Sequence, residues 1–187
     1  HQLASELGLT VPNEQVLDQK KVKANFDLEE AMKIANQFYQ QSLRKSPKAI
    51  NYLKSRGLTG KIAKEFSIGF APDGWQNLEK AFKHYQDKSL EKAGLIQKND
   101  KDKYYDRFRN RIIFPIINDK GTVIGFGGRV INPDDTPKYY NSPETPLFQK
   151  SYELYGLIYA RKPIREKGFV LVVEGYMDVV GLAQHNF

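Results

Sequence analysis

Cysteine is absent from all 187 residues, which excludes disulfides, thiolate nucleophiles and cysteine-ligated zinc from this chain. A cytoplasmic setting fits that absence. No run of about 18 apolar residues is present to cross a bilayer. The N-terminus lacks the basic, then apolar, then small-residue layout of a signal peptide. Histidine is scarce: His1, His84 and His185 have no acid or nucleophile at motif spacing, and the last two read as ordinary helix residues. There is no Walker-type phosphate loop, internal repeat or low-complexity tract. Methionine is missing at position 1, and the chain stops at Phe187 directly after a helix-like stretch, so the expectation is a fragment whose neighbours are missing at both ends.

Apolar residues make up 40% of the chain and charged ones 27%, enough for one well-packed domain or two small subdomains sharing a core. The formal charge is +7, with the excess in the middle: residues 51–150 carry 18 Lys and Arg against 12 Asp and Glu. A central basic surface favours phosphate-bearing partners, because neutralised phosphates release counterions. A merely well-solvated surface accounts for the charge equally well.

Residues 1–8 read as the tail of a helix closed by Gly8, followed by an exposed Lys-rich connector to about Lys23. A helix is predicted from a cap at Asp27, with Leu28, Ala31, Ala35, Phe38, Tyr39 and Leu43 as its apolar stripe. Ser46-Pro47 ends it and starts another, closed at Arg56-Gly57, and Thr59 caps a third. Phe66 to Phe70 alternates like a strand, Asp73-Gly74 is a turn, and Leu78 to Tyr85 reads as a helix. The short runs at Leu95-Ile96, Tyr104-Tyr105, Ile112 to Phe114 and Val123 to Phe126, split by Asn99-Asp100 and Asp119-Lys120-Gly121, predict a small antiparallel sheet. Residues 132–146 hold four prolines and read as a long loop, with a helix at about Glu153 to Arg161 after it. Phe169 to Val173 is too short for a helix and reads as a strand buried on both faces, before a helix from Met177.

Glu174 follows that strand and would emerge at the carboxyl edge of a sheet, where open α/β folds gather ligands, with Gly175 allowing a sharp turn. A carboxylate there can act as a general base or hold a divalent metal against phosphates, with Asp178 a turn further on in support. The alternative is a carboxylate favoured by the helix dipole. Lys138-Tyr139-Tyr140 sets a cation beside two aromatics, as single-strand binding requires; the competing reading is a Pro-flanked loop packing its tyrosines on the core. Gly125-Phe126-Gly127-Gly128 does not fit dinucleotide glycine spacing and reads as a bulged strand end.

The strand followed by Glu174-Gly175 and Asp178 resembles the opening of a toprim domain, found in bacterial primases, type IA and II topoisomerases and some nucleases. The stretches Tyr105 to Arg111, Phe114-Pro115-Ile116, Val123 to Arg129 and Thr136 to Thr145 follow in the order of the bacterial DNA primase polymerase core. Tyr52 to Leu58 and Ile68 to Pro72 extend the resemblance, which runs from about Phe26 to Phe187. It implies an α+β fold: a mixed helical and antiparallel-sheet basic subdomain, then the first strand-helix unit of an α/β toprim domain. The divisions would be a connector at 1–25, the N-terminal subdomain of the polymerase core at 26–167 and the toprim start at 168–187.

The resemblance also implies roles. Glu174 matches the acid that assists deprotonation of the attacking 3′-hydroxyl, Lys138 and Lys150 match lysines facing the active site and nucleotide phosphates, and Arg129, Tyr139 and Asn141 belong to that cluster. Arg56, Arg107 and Arg109 match the basic face that tracks template or primer phosphates, a job suited to guanidinium groups; a structural salt bridge is the alternative for each. The family uses Mg2+ or Mn2+, and Glu174 with Asp178 would form an incomplete part of that site. Zn2+ belongs to a missing N-terminal module. Partners would be single-stranded DNA template, RNA primer, nucleoside triphosphates and, through a missing C-terminal domain, the replicative helicase, with no membrane. Lacking the later metal-binding acids, the chain is expected to bind nucleic acid and make no primers. Another toprim enzyme stays open, although no dedicated nucleophilic tyrosine stands out among 11. So does a non-catalytic single-strand binding module, which salt-dependent binding without a metal response would favour.

Overall fold

Proline and hydroxyl side chains place the first helix boundaries. The computed structural model describes residues 14–187, with backbone alone over 14–26. Helix α1 spans Glu14–Arg44, α2 Pro47–Ser55 and α3 Gly60–Glu65. Ser46 Oγ accepts from Ala49 N at 3.3 Å with Pro47 opening α2, and Thr59 Oγ1 accepts from Ile62 N at 3.4 Å, as their cap positions predict. Asp27 is no cap: α1 begins at Glu14, so most of the expected connector is helical. The readings at residues 1–13, including closure at Gly8, lie outside the described residues.

Strand β1 covers Gly69–Ala71, α4 Lys88–Lys92, β2 Ile96–Lys98, β3 Tyr104–Asp106, β4 Arg111–Ile117, β5 Val123–Val130 and β6 Tyr139–Asn141. Helix α5 covers Leu157–Lys167 and α6 Tyr176–Gln184, with short 3-10 turns at Asn77–Lys80 and Lys150–Tyr152. The main sheet is antiparallel in the order β1-β4-β5-β6, and β2 and β3 form a separate hairpin. The architecture is α+β, with two sheets where one was expected.

Burial on both faces of the main sheet explains the unbroken apolar run of β4. Ile113 and Phe126 pack with Met32, Ala35 and Tyr39 of α1 and with Leu78, Leu95 and Phe108. Ile112 and Phe114, one residue out of phase, pack with Leu53, Phe66, Phe70 and with Met177 and Val180 of α6. Helix α1 lies so close to β1 that a Cβ at Gly69 would fall 2.5 Å from Tyr39 Cβ.

The hairpins follow from side-chain acceptors in the turns. Asn118 Oδ1 accepts from Lys120 N and Thr122 N, each at 3.0 Å, with Gly121 at φ +86°. Asn99 Oδ1 does the same for Lys101 N at 2.9 Å and Lys103 N at 3.0 Å.

Several elements depart from the pattern. Leu78 to Tyr85 forms only the 3-10 turn and loose turns, because Asp106 takes Leu78 N at 3.1 Å and the Tyr85 hydroxyl at 2.7 Å in place of a helical ladder. The helix expected near Glu153 begins only at Leu157, after Gly156 at φ +81°. Within the Pro-rich 132–146 stretch, Tyr139–Asn141 pairs with Gly127–Arg129 as β6. Phe169 to Val173 forms no strand and is exposed, from 37% at Val173 to 79% at Val172. A strand covered on both faces needs a paired neighbour, and among the described residues none pairs with this segment.

Candidate nucleic-acid interface and acid cluster

Pairing of β5 with β6 sets Gly127 opposite Asn141, Gly128 opposite Tyr140 and Arg129 opposite Tyr139. The glycines are where other groups press on the sheet: a Cβ at Gly127 would lie 2.4 Å from the Tyr176 ring, and one at Gly128 would lie 2.8 Å from the Phe108 ring. The register slips between Ile116↔Gly125 and Ile117↔Val123, which leaves Ile124 as the extra residue on β5: the glycine run does border a bulge, at Gly125, while Gly127 and Gly128 are sites of close approach.

Arg129, 9% exposed, donates through Nε to the Tyr52 hydroxyl at 2.5 Å and through a terminal nitrogen to the Tyr139 hydroxyl, and its guanidinium lies 5.0 Å from the Tyr139 ring centroid. Arg56 caps α2 four residues beyond Tyr52, on the same helical face, and is exposed. Tyr176 stacks on Phe114 at 5.4 Å between centroids and 9° between planes, and its hydroxyl donates to Asn141 Oδ1 at 3.0 Å. Burial, then the neighbouring Tyr139, pushes the Tyr176 phenol up to about 12, so it stays a donor at neutral pH. Arg129, Tyr139 and Asn141 are thus brought together, with Tyr52 and Tyr176 as members the sequence did not single out.

Glu174 is exposed two residues before Tyr176, so the Tyr176 contacts fix where its turn meets the sheet. Asp178 stands in the first turn of α6, and a Cβ at Gly175 would meet its Oδ2 at 2.8 Å, so this carboxylate leans over the helix N-terminus, where the helix dipole favours negative charge. A divalent cation takes about six oxygen ligands. Among the described residues no three His, Cys, Asp or Glu side chains gather as a metal site, so Glu174 and Asp178 do not fit such an ion by themselves. Lys138 is exposed just ahead of β6 and Lys150 on the second 3-10 turn; among the described residues neither forms an ion pair.

The other arginines divide. Arg107 is half-buried: it donates twice to Asn141 O, at 3.2 and 3.1 Å, once to Gln97 Oε1 at 3.0 Å, and stacks over Tyr140 at 4.4 Å. Its fork ties β6 to the β2-β3 hairpin. Arg109 instead lies 4.1 Å over the ring of Trp75 and 5.0 Å from that of Tyr105. Trp75 is 66% exposed. An exposed indole beside a guanidinium offers a base a stacking face and a phosphate a cation. Nothing local in the sequence singles Trp75 out except its place just after the Asp73-Gly74 turn.

Comparison with known proteins gives one consistent picture. The description "DNA primase catalytic core, N-terminal domain" matches residues 38–161. The DNA primase of Legionella pneumophila is 52% identical over 168 residues, covering 89% of this chain and 29% of that protein. That of Pseudomonas aeruginosa is 47% identical, covering 99% and 29%. Among solved structures, a DnaG primase catalytic domain bound to single-stranded DNA superposes with a TM-score of 0.80 at 48% identity, over 88% of this chain and 52% of that one. The Aquifex aeolicus primase, with zinc-binding and RNA polymerase domains, gives 0.81 at 34%, over 99% and 44%. The chain therefore spans about 29% of the length of the curated relatives it matches.

Proposed function

This chain belongs to the DNA primase family, and on that premise we propose that it is the N-terminal part of a primase polymerase core, holding single-stranded template beside a site of metal-dependent nucleotidyl transfer that makes short RNA primers. Residues 26–167 are its basic subdomain and 168–187 open its toprim part. Glu174 is the acid that assists removal of the proton from the attacking 3′-hydroxyl. Lys138 and Lys150 offer cations to nucleotide phosphates, and the Arg129, Tyr139 and Asn141 cluster fixes the floor beneath them. Arg56 and Arg109 offer guanidinium groups to template or primer phosphates, while Arg107 acts through Asn141 by holding β6. Mg2+ or Mn2+ serves the whole protein with acids beyond Glu174 and Asp178, and Zn2+ serves a separate module. Nucleoside triphosphates, template, primer and a replicative helicase are the partners, in the bacterial cytoplasm. No helix among the described residues is long and apolar enough to cross a membrane.

The observation that carries the template reading is the guanidinium of Arg109 stacked 4.1 Å over an indole that is two-thirds exposed. A relative's catalytic domain, 48% identical, is known bound to single-stranded DNA, which supports the same use here. Trp75 is the single tryptophan, so binding can be followed through its emission. Titration with oligo-dT across a salt series should give quenching with a Kd that rises with salt. Arg109→Ala should weaken binding about fivefold to tenfold and lower the salt slope by about 1, the loss expected for one phosphate contact. An unchanged Kd and slope would remove Arg109 from the interface.

A further inference from the structure

Trp75 poses a packing question: its ring is two-thirds exposed, so its orientation is held by its chain neighbours rather than by a core around it. The 3-10 turn behind it is four residues long, too short to hold itself. The segment is instead stitched to β3. Gln76 Nε2 donates to Tyr104 O at 2.9 Å, Trp75 O accepts from Asp106 N at 2.7 Å, and Leu78 N donates to Asp106 Oδ2 at 3.1 Å. The second carboxylate oxygen of Asp106 accepts from the Tyr85 hydroxyl at 2.7 Å, and the Asp106 carbonyl accepts from the Arg109 guanidinium at 3.3 Å. Asp106 is 2% exposed.

We propose that Asp106 is a positioning residue for single-strand binding: its backbone amide, carbonyl and buried carboxylate together hold Trp75 and Arg109 in the stacked arrangement that receives a base and a phosphate. The inference rests on the template reading of that face. One residue touches both halves of the platform, Trp75 through its amide and Arg109 through its carbonyl, while its side chain anchors the loop at Leu78 and, through Tyr85, the stretch that follows. An exposed aromatic with no such anchoring would be ordered only when the strand arrives, and each side chain immobilised on binding opposes association. Asp supplies what the place needs: two acceptor oxygens on a side chain short enough to stay buried behind the platform, one facing the Leu78 amide and the other the Tyr85 hydroxyl.

The experiment is a fluorescence titration of the full 187-residue chain with oligo-dT, read together with the emission maximum of unliganded Trp75. Asp106→Ala removes both acceptors. It should shift the Trp75 emission before any strand is added and weaken binding about tenfold, in a protein whose far-ultraviolet circular dichroism stays native. A residue that only stabilises the fold would lower the unfolding temperature and leave emission and Kd of the folded population alone. Should Asp106→Ala fail to fold, Tyr85→Phe carries the test, because it keeps the ring packing and removes the hydroxyl that donates to the carboxylate; it should move emission the same way and weaken binding about threefold. Trp75→Ala, followed by fluorescence anisotropy of a labelled strand, separates the two claims. If Trp75→Ala binds as well as the native chain, the platform reading itself fails. If Trp75→Ala weakens binding while folded Asp106→Ala or Tyr85→Phe keeps native emission and affinity, the positioning role is overturned and the platform stands.

Discussion

Gly127→Val is expected to destabilise the protein by about 2–4 kcal/mol, the upper end of what overpacking a filled interior costs. The reason is local: a Cβ at residue 127 would lie 2.4 Å from the Tyr176 ring, a distance no side chain contact sustains. The ring has nowhere to go, because Phe114 stacks on it and Tyr155 meets it edge-on at 4.7 Å. Tyr176 must therefore leave the sheet, and the bond from its hydroxyl to Asn141 goes with it. Chemical denaturation measures the loss of stability. Tyr176→Phe is the contrast, since it keeps the packing and gives up one partly buried hydrogen bond, for about 1 kcal/mol. If Gly127→Val and Tyr176→Phe cost the same, the close approach is not what sets the position of Tyr176.

The second large effect concerns pH and Asp106. Burial raises its carboxyl from 3.8 to about 6, opposed by the hydrogen bonds from Tyr85, Leu78 and Asn77 and by the charge of Arg109. The groups around it are the Tyr85 hydroxyl, Arg109 on the following loop and, from α1, the buried Tyr39 hydroxyl, itself pushed upward by burial and by Asp106. An acid whose folded value exceeds its unfolded value binds more protons when folded. Its contribution is therefore most favourable below about pH 4, declines as pH rises through about 6, and by pH 7 is lower by about 3 kcal/mol. Other carboxylates titrate in the same range, so the informative quantity is a difference. Urea unfolding of the native chain and of Asp106→Asn, repeated between about pH 4 and pH 7, should show the Asn variant gaining on the native protein as pH rises. A difference that stays flat would mean the Asp106 carboxyl titrates as it does in the unfolded chain.

Features built from neighbouring residues were legible in the sequence. Ser46 and Thr59 cap because a hydroxyl three residues before a free amide can reach it, and Asn99 and Asn118 form turns because their side chains accept from amides two and four residues on. The ordered motifs from Tyr52 to Asp178 carried the family. What stayed hidden depends on contacts far along the chain. Leu78 to Tyr85 has an apolar spacing that suits a helix, yet Asp106, 28 residues from Leu78, claims its first amide. β6 sits among prolines and becomes a strand only because β5 offers it an edge. Phe169 to Val173 has strand composition and, among the described residues, no strand to pair with. Trp75 looks like any aromatic after a turn until residue 109 is folded back over it. Among the expected arginines, the sequence could not separate Arg107, whose fork is occupied by Asn141 and Gln97, from Arg109, whose guanidinium lies on a surface ring.

The far end of α6 closes on the beginning of the fold. The Gln184 side chain donates to Gly57 O at 2.9 Å and accepts from Thr59 N at 2.8 Å, across 125 residues of sequence. Thr59, the exposed N-cap of α3, has no helical acceptor for its amide, so whatever protection that amide has from deuterium comes from Gln184. Its exchange rate therefore measures how often α6 lifts from the loop that carries Arg56. One amide signal then reports the opening of the joint between the basic part of the chain and the segment that bears Glu174.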